Sequence, residues 1–421
     1  MQRPAVPDTS LVGRDIRVLA ADSLEGRRTG TAGNDSAAAF IARRLAALRA
    51  EHVISDTLSC RGTNGVNGAR RNCAATHLQA FVARPAAAAH GGIPAALPTH
   101  NVVGLIRGSD PALRGQYVVL GAHFDHLGRS TFGALDPDKG EEIRNGADDN
   151  ASGTAAVLEL ARLLSRQPPR RSVLVVLFSG EELGLLGSQY FVEHAPVPLD
   201  SVQAMLNFDM VGRLRDDKLI VYGVATATEL PEVLRAANLT PPLRISAVGD
   251  GFGPSDHSSF FAKNIPVLHF FTDVHEDYHR ASDEAHTINL EGVTRVVAFA
   301  ERITRDLADR PARLTFVAAP VTARAGPSRS GSQAWLGTIP DMAASETRGL
   351  RITGVRPGSP ADSAGLAAGD IIVELGGAAV TDLYTYTDAL YANQPGDRVA
   401  IVYQRGARRD TVRVTLGRRG G

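Results

Sequence analysis

The chain has 421 residues, 43% of them hydrophobic and 21% charged, which is an ordinary globular composition with room for two or three domains. Its 45 Lys and Arg residues balance 45 Asp and Glu residues, so the charge gives no support to nucleic-acid binding or to attachment at a membrane surface. No apolar run approaches the length of a membrane span, and the first twenty residues lack the apolar stretch of a signal peptide.

In chain order, residues 35–50 (DSAAAFIARRLAALRA) carry apolar residues at helical spacing and predict an amphipathic helix. Residues 51–99 are rich in Ala, Gly and Pro without a period and predict irregular structure. Cys60 and Cys73 fall within them, open to two readings: a disulfide in an oxidising compartment, or two separate thiols. From residue 100 the pattern changes. HNVVGLIRG and QYVVLGAH predict strands. ASGTAAVLELARLLSR predicts a helix opened by a Gly/Ser-rich turn and stopped by Pro168 and Pro169. SVLVVLFSG predicts a buried strand, ELGLLGSQYFVEHA a helix, SVQAMLNFDMVG and NIPVLHFFTDV two more strands, and residues 289–309 a long amphipathic helix. Strands alternating with helices predict a mainly parallel sheet covered on both faces over residues 1–311. Residues 312–334 are Pro/Gly/Ser-rich and predict a linker, and residues 335–418 predict a separate domain of short strands and Gly turns.

Catalytic groups in such α/β folds collect at the carboxyl ends of strands. The polar clusters here follow strands: His123 and Asp125 in GAHFDHLG, Asp148 and Asp149 in NGADDNASG, Glu181 and Glu182 in FSGEELG, Asp209 in LNFDMVG, and His279 in HEDYHR. Charged groups beside such apolar runs are costly to bury unless paired or bound to metal. Imidazole with carboxylate suits Zn²⁺ without any thiolate. Two divalent ions about 3.5–4 Å apart can share one carboxylate and one water, while a separate carboxylate moves the proton. That chemistry asks for about five ligands and one base, which these clusters supply.

Taken in this order, H-x-D, G-A-D-D-N-A-S-G, the Glu pair, N-F-D and D-Y-H resemble the M28 family of metallopeptidases, and LAADSLEGRRTGTAGN at residues 19–34 is similar to its bacterial members. The resemblance implies a three-layer α/β/α zinc-peptidase fold with a mainly parallel mixed sheet, holding two Zn²⁺ or other divalent ions. It implies that Asp148 bridges the ions, that His123 and Asp209 complete one site, and that Glu182 and His279 complete the other. Glu181 would be the general base and acid, and Asp125 would hydrogen-bond the far nitrogen of His123. Asp149 would follow the bridging residue across a cis bond, and Tyr278 would stabilise the oxyanion. Residues 51–99 are too short for the protease-associated insertion of some relatives. Ser255-Asp256-His257 resembles a family loop beside the substrate, with Asp256 and His257 as candidate binding residues. The competing reading is a helix cap at Ser255 or Asp256. His126 is expected to be peripheral, and His100 and His269 ordinary.

His275-Glu276-Asp277-Tyr278-His279 also spells H-E-x-x-H, a zinc motif that requires both histidines one turn apart on a helix. The string directly follows a predicted strand and lacks an apolar stripe, so that reading is rejected.

Residues 335–418 resemble a PDZ domain of the bacterial protease type, most clearly in VRPGSPADSAGLAAGDIIVELGGAAV. The resemblance implies that the loop Trp335, Leu336, Gly337, Thr338 and Ile339 captures a peptide C-terminus, with the helix at 382–392 as the other groove wall. The expected activity is release of N-terminal amino acids from peptides. The alternatives are a carboxypeptidase, a glutaminyl cyclase of the same fold, or an inactive peptide-binding protein. A secreted or periplasmic location is expected, with the signal removed before this chain begins.

Overall fold

The computed structural model describes residues 6–55, 75–85, 96–131, 133–239, 241–249, 251–253, 255–318, 334–340, 349–355, 358–380, 385–386, 389–390, 392–406 and 408–418. Cys60 and Cys73 lie outside them, as does most of the expected linker. The chain forms two compact units, one built from residues 1–83, 97–273 and 279–319, the other from residues 84–96, 274–278 and 320–421.

The first unit holds an eight-stranded mixed sheet. Its strands are β1 (Leu78–Ala83), β2 (Leu97–Ile106), β3 (Tyr117–His123), β4 (Ser172–Phe178), β5 (Val202–Phe208), β6 (Lys218–Tyr222), β7 (Arg244–Ala247) and β8 (Val267–Phe271). Their spatial order is β1-β2-β4-β3-β5-β8-β6-β7. The central run β4-β3-β5-β8 is parallel, while β1 and β2 pair antiparallel at one side and β6 pairs antiparallel with β8. Strand β1 corrects the expectation of irregular structure over residues 51–99. It is a half-buried edge strand whose alternation is too short to stand out from its Ala-rich surroundings.

Helices cover both faces. On one lie α1 (Thr9–Leu19), α2 (Ala32–Ala47), α3 (Gly153–Arg166), α5 (Leu230–Ala237) and α7 (Leu290–Asp309). On the other lie α4 (Leu186–Glu193) and α6 (His257–Phe261). Strand periodicity sorts the side chains between two cores. Val118, Leu120 and Ala122 join the α3/α7 face, while Val119 joins Phe191 and Phe260 on the other. Both faces are therefore buried, which explains why the central strands read as unbroken apolar runs.

The second unit is β-rich. Strands β10 (Thr338–Pro340), β11 (Leu350–Val355), β12 (Ile371–Leu375), β14 (Arg398–Arg405) and β15 (Arg408–Thr415) pair antiparallel in that order, and β13 (Ala378–Ala379) pairs with β12. The short ladder of β9 (Ala334–Trp335) with β16 (Gly417–Arg418) brings the two ends of the unit together. Helix α8 (Pro360–Ser363) opens on Ser359, whose hydroxyl accepts from the Asp362 N–H. Its core is formed by Leu336, Ile352, Ile372, Leu375, Ile401 and neighbours. Among the described residues, no helix is long and apolar enough to cross a membrane.

Candidate metal centre

Because β4, β3, β5 and β8 run parallel, their carboxyl ends open on the same side of the sheet. His123 is the last residue of β3, and Asp209 follows β5 directly. Glu181 and Glu182 follow β4 after the Ser179-Gly180 turn, and His279 follows β8. The segment of residues 145–150 before α3 supplies the remaining carboxylates.

The geometry centres on Asp149. Its Oδ1 lies 3.2 Å from His123 Nε2 and its Oδ2 lies 3.1 Å from His279 Nε2. Asp209 Oδ1 is 3.3 Å from His123 Nε2, and Glu182 Oε2 is 3.3 Å from His279 Nε2. His123, Asp149 and Asp209 form one group able to hold an ion, and His126, Asp149 and Glu182 form a second. Asp148, the expected bridge, points elsewhere. Its Oδ1 accepts from Ser152 Oγ at 2.8 Å and from the Gly212 N–H at 2.6 Å. The cis peptide likewise joins Asp149 to Asn150, one bond later than expected.

Both terminal histidines are oriented from behind. The Nδ1 of His279 donates to the Gly133 carbonyl at 2.9 Å, and that of His123 to the Asp125 carbonyl at 3.1 Å. Each ring therefore turns its Nε2 lone pair inward, as a metal-ligating imidazole requires. The Asp125 side chain is 3.7 Å from His123 Nδ1, so the bond expected from its carboxylate is made by its backbone instead. That carboxylate accepts from Thr29 Oγ1 at 2.8 Å and from the Glu181 N–H at 3.2 Å, which ties the N-terminal segment and the Glu pair to the centre.

Three residues outside the expected ligand set act here. His126 is buried, and its Nδ1 is 2.7 Å from Glu182 Oε1, leaving Oε2 to face His279. Ser255 Oγ donates to Asp209 Oδ2 at 2.8 Å and accepts from Asn207 Nδ2 at 2.7 Å, so it caps no helix. Helix α6 begins after Asp256 without a side-chain cap. Arg27 is fully buried and donates to the carbonyls of Phe124, Leu19, Asn145 and Gly146. Only the R-x-T spacing of LEGRRTG hints at Arg27 and Thr29 from sequence.

Burial and neighbouring charge separate the carboxylates into two kinds. Burial pushes Glu181 well above its ordinary value, and Glu182 and Asp209 reinforce the shift against His123. Glu182 is equally buried, but His279 and His126 outweigh that and bring it down to about 2. Carboxylates pushed apart in this way mark a proton acceptor beside ligands that stay ionised. Burial also raises Asp256, to about 7.

His257 and His269 stack beside Asp256, their ring centroids 4.4 Å apart. Burial holds His257 well below its ordinary value and His269 down at about 4. An unfolded histidine takes its proton near pH 6.5 (about its unperturbed value), whereas folded His269 resists until about pH 4. Its contribution to stability is thus complete above the unfolded value and lost as pH falls toward the folded one. We expect His269 to remove up to about 3 kcal/mol of stability across that window. Urea midpoints of metal-free protein measure it: His269→Phe should flatten the acid limb, and an unchanged limb would refute the assignment.

Tyr278 is half-buried, and residues 276–279 form a turn rather than a helix, with His279 at φ 54°. The H-E-x-x-H string therefore lacks the helical geometry of a zinc motif.

Residues 101–303 match the family model of peptidase family M28, and residues 336–416 match that of the PDZ domain. The leupeptin-inactivating enzyme 1 of Streptomyces exfoliatus is 32% identical over 189 residues, covering 44% of this chain and 38% of that enzyme. Aminopeptidase YwaD of Bacillus subtilis is 31% identical over 157 residues, 35% of this chain and 34% of that protein. The chain thus spans less than two fifths of the length of these curated relatives. A zinc aminopeptidase structure from Bacillus subtilis covers 75% of the chain and 99% of its own length at TM-score 0.55 and 19% identity. A glutaminyl cyclase from Bacteroides thetaiotaomicron covers 72% and 99% at the same TM-score and 16% identity, so the likeness of fold does not choose between the two reactions. Residues 101–303 are thus an M28 peptidase domain by their family model, and residues 336–416 a PDZ domain.

Proposed function

We propose that this protein is a dizinc aminopeptidase. The observation that carries the reading is the spacing of the donor atoms. Two donors about 2.0–2.1 Å from one tetrahedral zinc stand about 3.3 Å apart. The pairs His123–Asp149, His123–Asp209, His279–Asp149 and His279–Glu182 measure 3.2, 3.3, 3.1 and 3.3 Å. The donor set fits zinc, and Asp149, with one oxygen toward each histidine, is the natural bridge between two ions. His123 and Asp209 would hold one ion, and Glu182 and His279 the other.

Bound zinc would polarise the peptide carbonyl and acidify a water molecule. The chain's own residues supply the rest. Glu181 takes a proton from the attacking water and delivers it to the departing amine, a transfer suited to its raised proton affinity. Ser255 and His126 hold Asp209 and Glu182 in place. Arg27, whose charge interacts with Asp125 and Asp149, is committed to four carbonyls and is not free to pair with a substrate carboxylate. This favours recognition of a peptide's amino end. Asp256 and His257 are both fully buried and would border the substrate.

Metal content with an aminoacyl-nitroanilide panel tests the reading. Two ions per chain, with cleavage of free but not N-blocked substrates, is the expected result. One ion per chain with glutaminyl cyclisation, cleavage of blocked peptides from the carboxyl end, or no turnover at all would each overturn it.

In the PDZ domain, β10 is an edge strand among the described residues, where a peptide strand could add. Gly337 before it has φ 84°, and a Cβ there would meet Ser359 Cβ at 2.2 Å, so this loop requires glycine. Leu336 is buried in the domain core, and Thr338 Oγ1 is 2.6 Å from Tyr386 Oη. We assign the backbone of residues 335–339 to capture of a peptide C-terminus. An exported location belongs to the same proposal.

A further inference from the structure

We propose that Asp283 is the positioning residue that decides which of two adjacent aspartates faces the metal centre. The inference rests on the reading of that centre as a zinc site. Asp148 and Asp149 are chemically identical neighbours, and nothing in their own side chains chooses between them. The choice lies in the backbone that carries them. Asp283 is fully buried, and its Oδ2 accepts from the Asp148 N–H at 2.9 Å and the Asp149 N–H at 3.1 Å. Its Oδ1 also accepts from the Asp148 N–H at 3.1 Å, and its backbone carbonyl accepts from the Ala147 N–H at 3.1 Å. Three consecutive amides thus converge on one residue.

From the other end, Arg27 binds the carbonyls of Asn145 and Gly146. The loop is therefore gripped by a buried cation on its carbonyls and a buried anion on its amides. Bonds to ionised groups in a dry interior are the strong kind, and buried backbone donors cannot go unpaired cheaply. With those amides fixed, Asp148 is directed to Ser152 and Gly212 and Asp149 to His123 and His279. Arg213 Nη2, 3.6 Å from Asp283 Oδ1, supplies a counter-charge to the anion.

Asp283→Asn keeps the shape but offers one carbonyl oxygen and turns an amide toward donors. Titration of metal-free protein with zinc, and the visible spectrum of the Co²⁺-substituted protein, read the position of the ligands without reference to activity. The expected result is a folded protein with zinc affinity weakened about 10- to 100-fold and altered Co²⁺ bands. Should Asp283→Asn fail to fold, Arg213→Gln removes the counter-charge while sparing the amide bonds, and a smaller loss in the same direction is expected. Wild-type affinity and an unchanged Co²⁺ spectrum in a folded variant would overturn the inference. A wild-type protein that binds no zinc would instead overturn the reading of the centre itself.

Discussion

Glu181→Gln is expected to lower kcat by about 10³-fold or more, within the upper range of general acid–base catalysis, while zinc per chain stays at the wild-type value. Glutamine matches glutamate in shape but cannot take a proton from water. Glu181 is not among the groups whose atoms crowd His123 and His279 at ligand spacing, since its Oε2 stands 4.0 Å from His123 Nε2. It is also the member of the Glu pair whose surroundings raise its proton affinity. Glu276→Gln is the matched control. Glu276 is exposed in a turn, and that variant should keep most of the turnover. The opposite pattern would mean that H-E-x-x-H carries the chemistry after all.

The paired variants Asp149→Asn and Asp148→Asn should part just as widely. Asp149 reaches both histidines, so its loss removes a shared ligand and should cost zinc at both positions together with nearly all activity. Asp148 is engaged with Ser152 and Gly212. Its amide variant should keep wild-type zinc stoichiometry and lose about 1–2 kcal/mol of stability from a disturbed buried hydrogen bond. Metal analysis of the two purified proteins decides the matter, and retention of zinc by Asp149→Asn with loss from Asp148→Asn would restore Asp148 as the bridge.

The central strands were legible because both of their faces are buried. Runs such as SVLVVLF and YVVLGAH carry their own signal. Helices α3 and α7 were legible from apolar periodicity and their Pro or polar boundaries. Edge strand β1 and the helix α5 were not, because each is too short for its period to stand out, although α5 buries Leu230, Val233, Leu234 and Ala237. At the centre, His123, Glu182, Asp209 and His279 were singled out because each follows an apolar strand, a position where charge demands an explanation. His126 was passed over because its hydrogen bond to Glu182 joins residues 56 apart in sequence. Thr29, Arg27 and Ser255 act across similar or larger separations, and such contacts leave no periodic trace.

By itself, the sequence determined the kind of fold, the strand ends at which chemistry gathers, and the types of donor present there. These follow from local apolar pattern and residue chemistry, which any short window of the chain contains. Only the tertiary structure decided that Asp149 rather than Asp148 meets the histidines, and that the Asp125 backbone rather than its carboxylate orients His123. The first outcome is set by backbone direction in a loop held by Arg27 and Asp283, the second by the turn after β3, where Arg27 binds the Phe124 carbonyl and Thr29 the Asp125 carboxylate; both directions come from hydrogen bonds to distant residues.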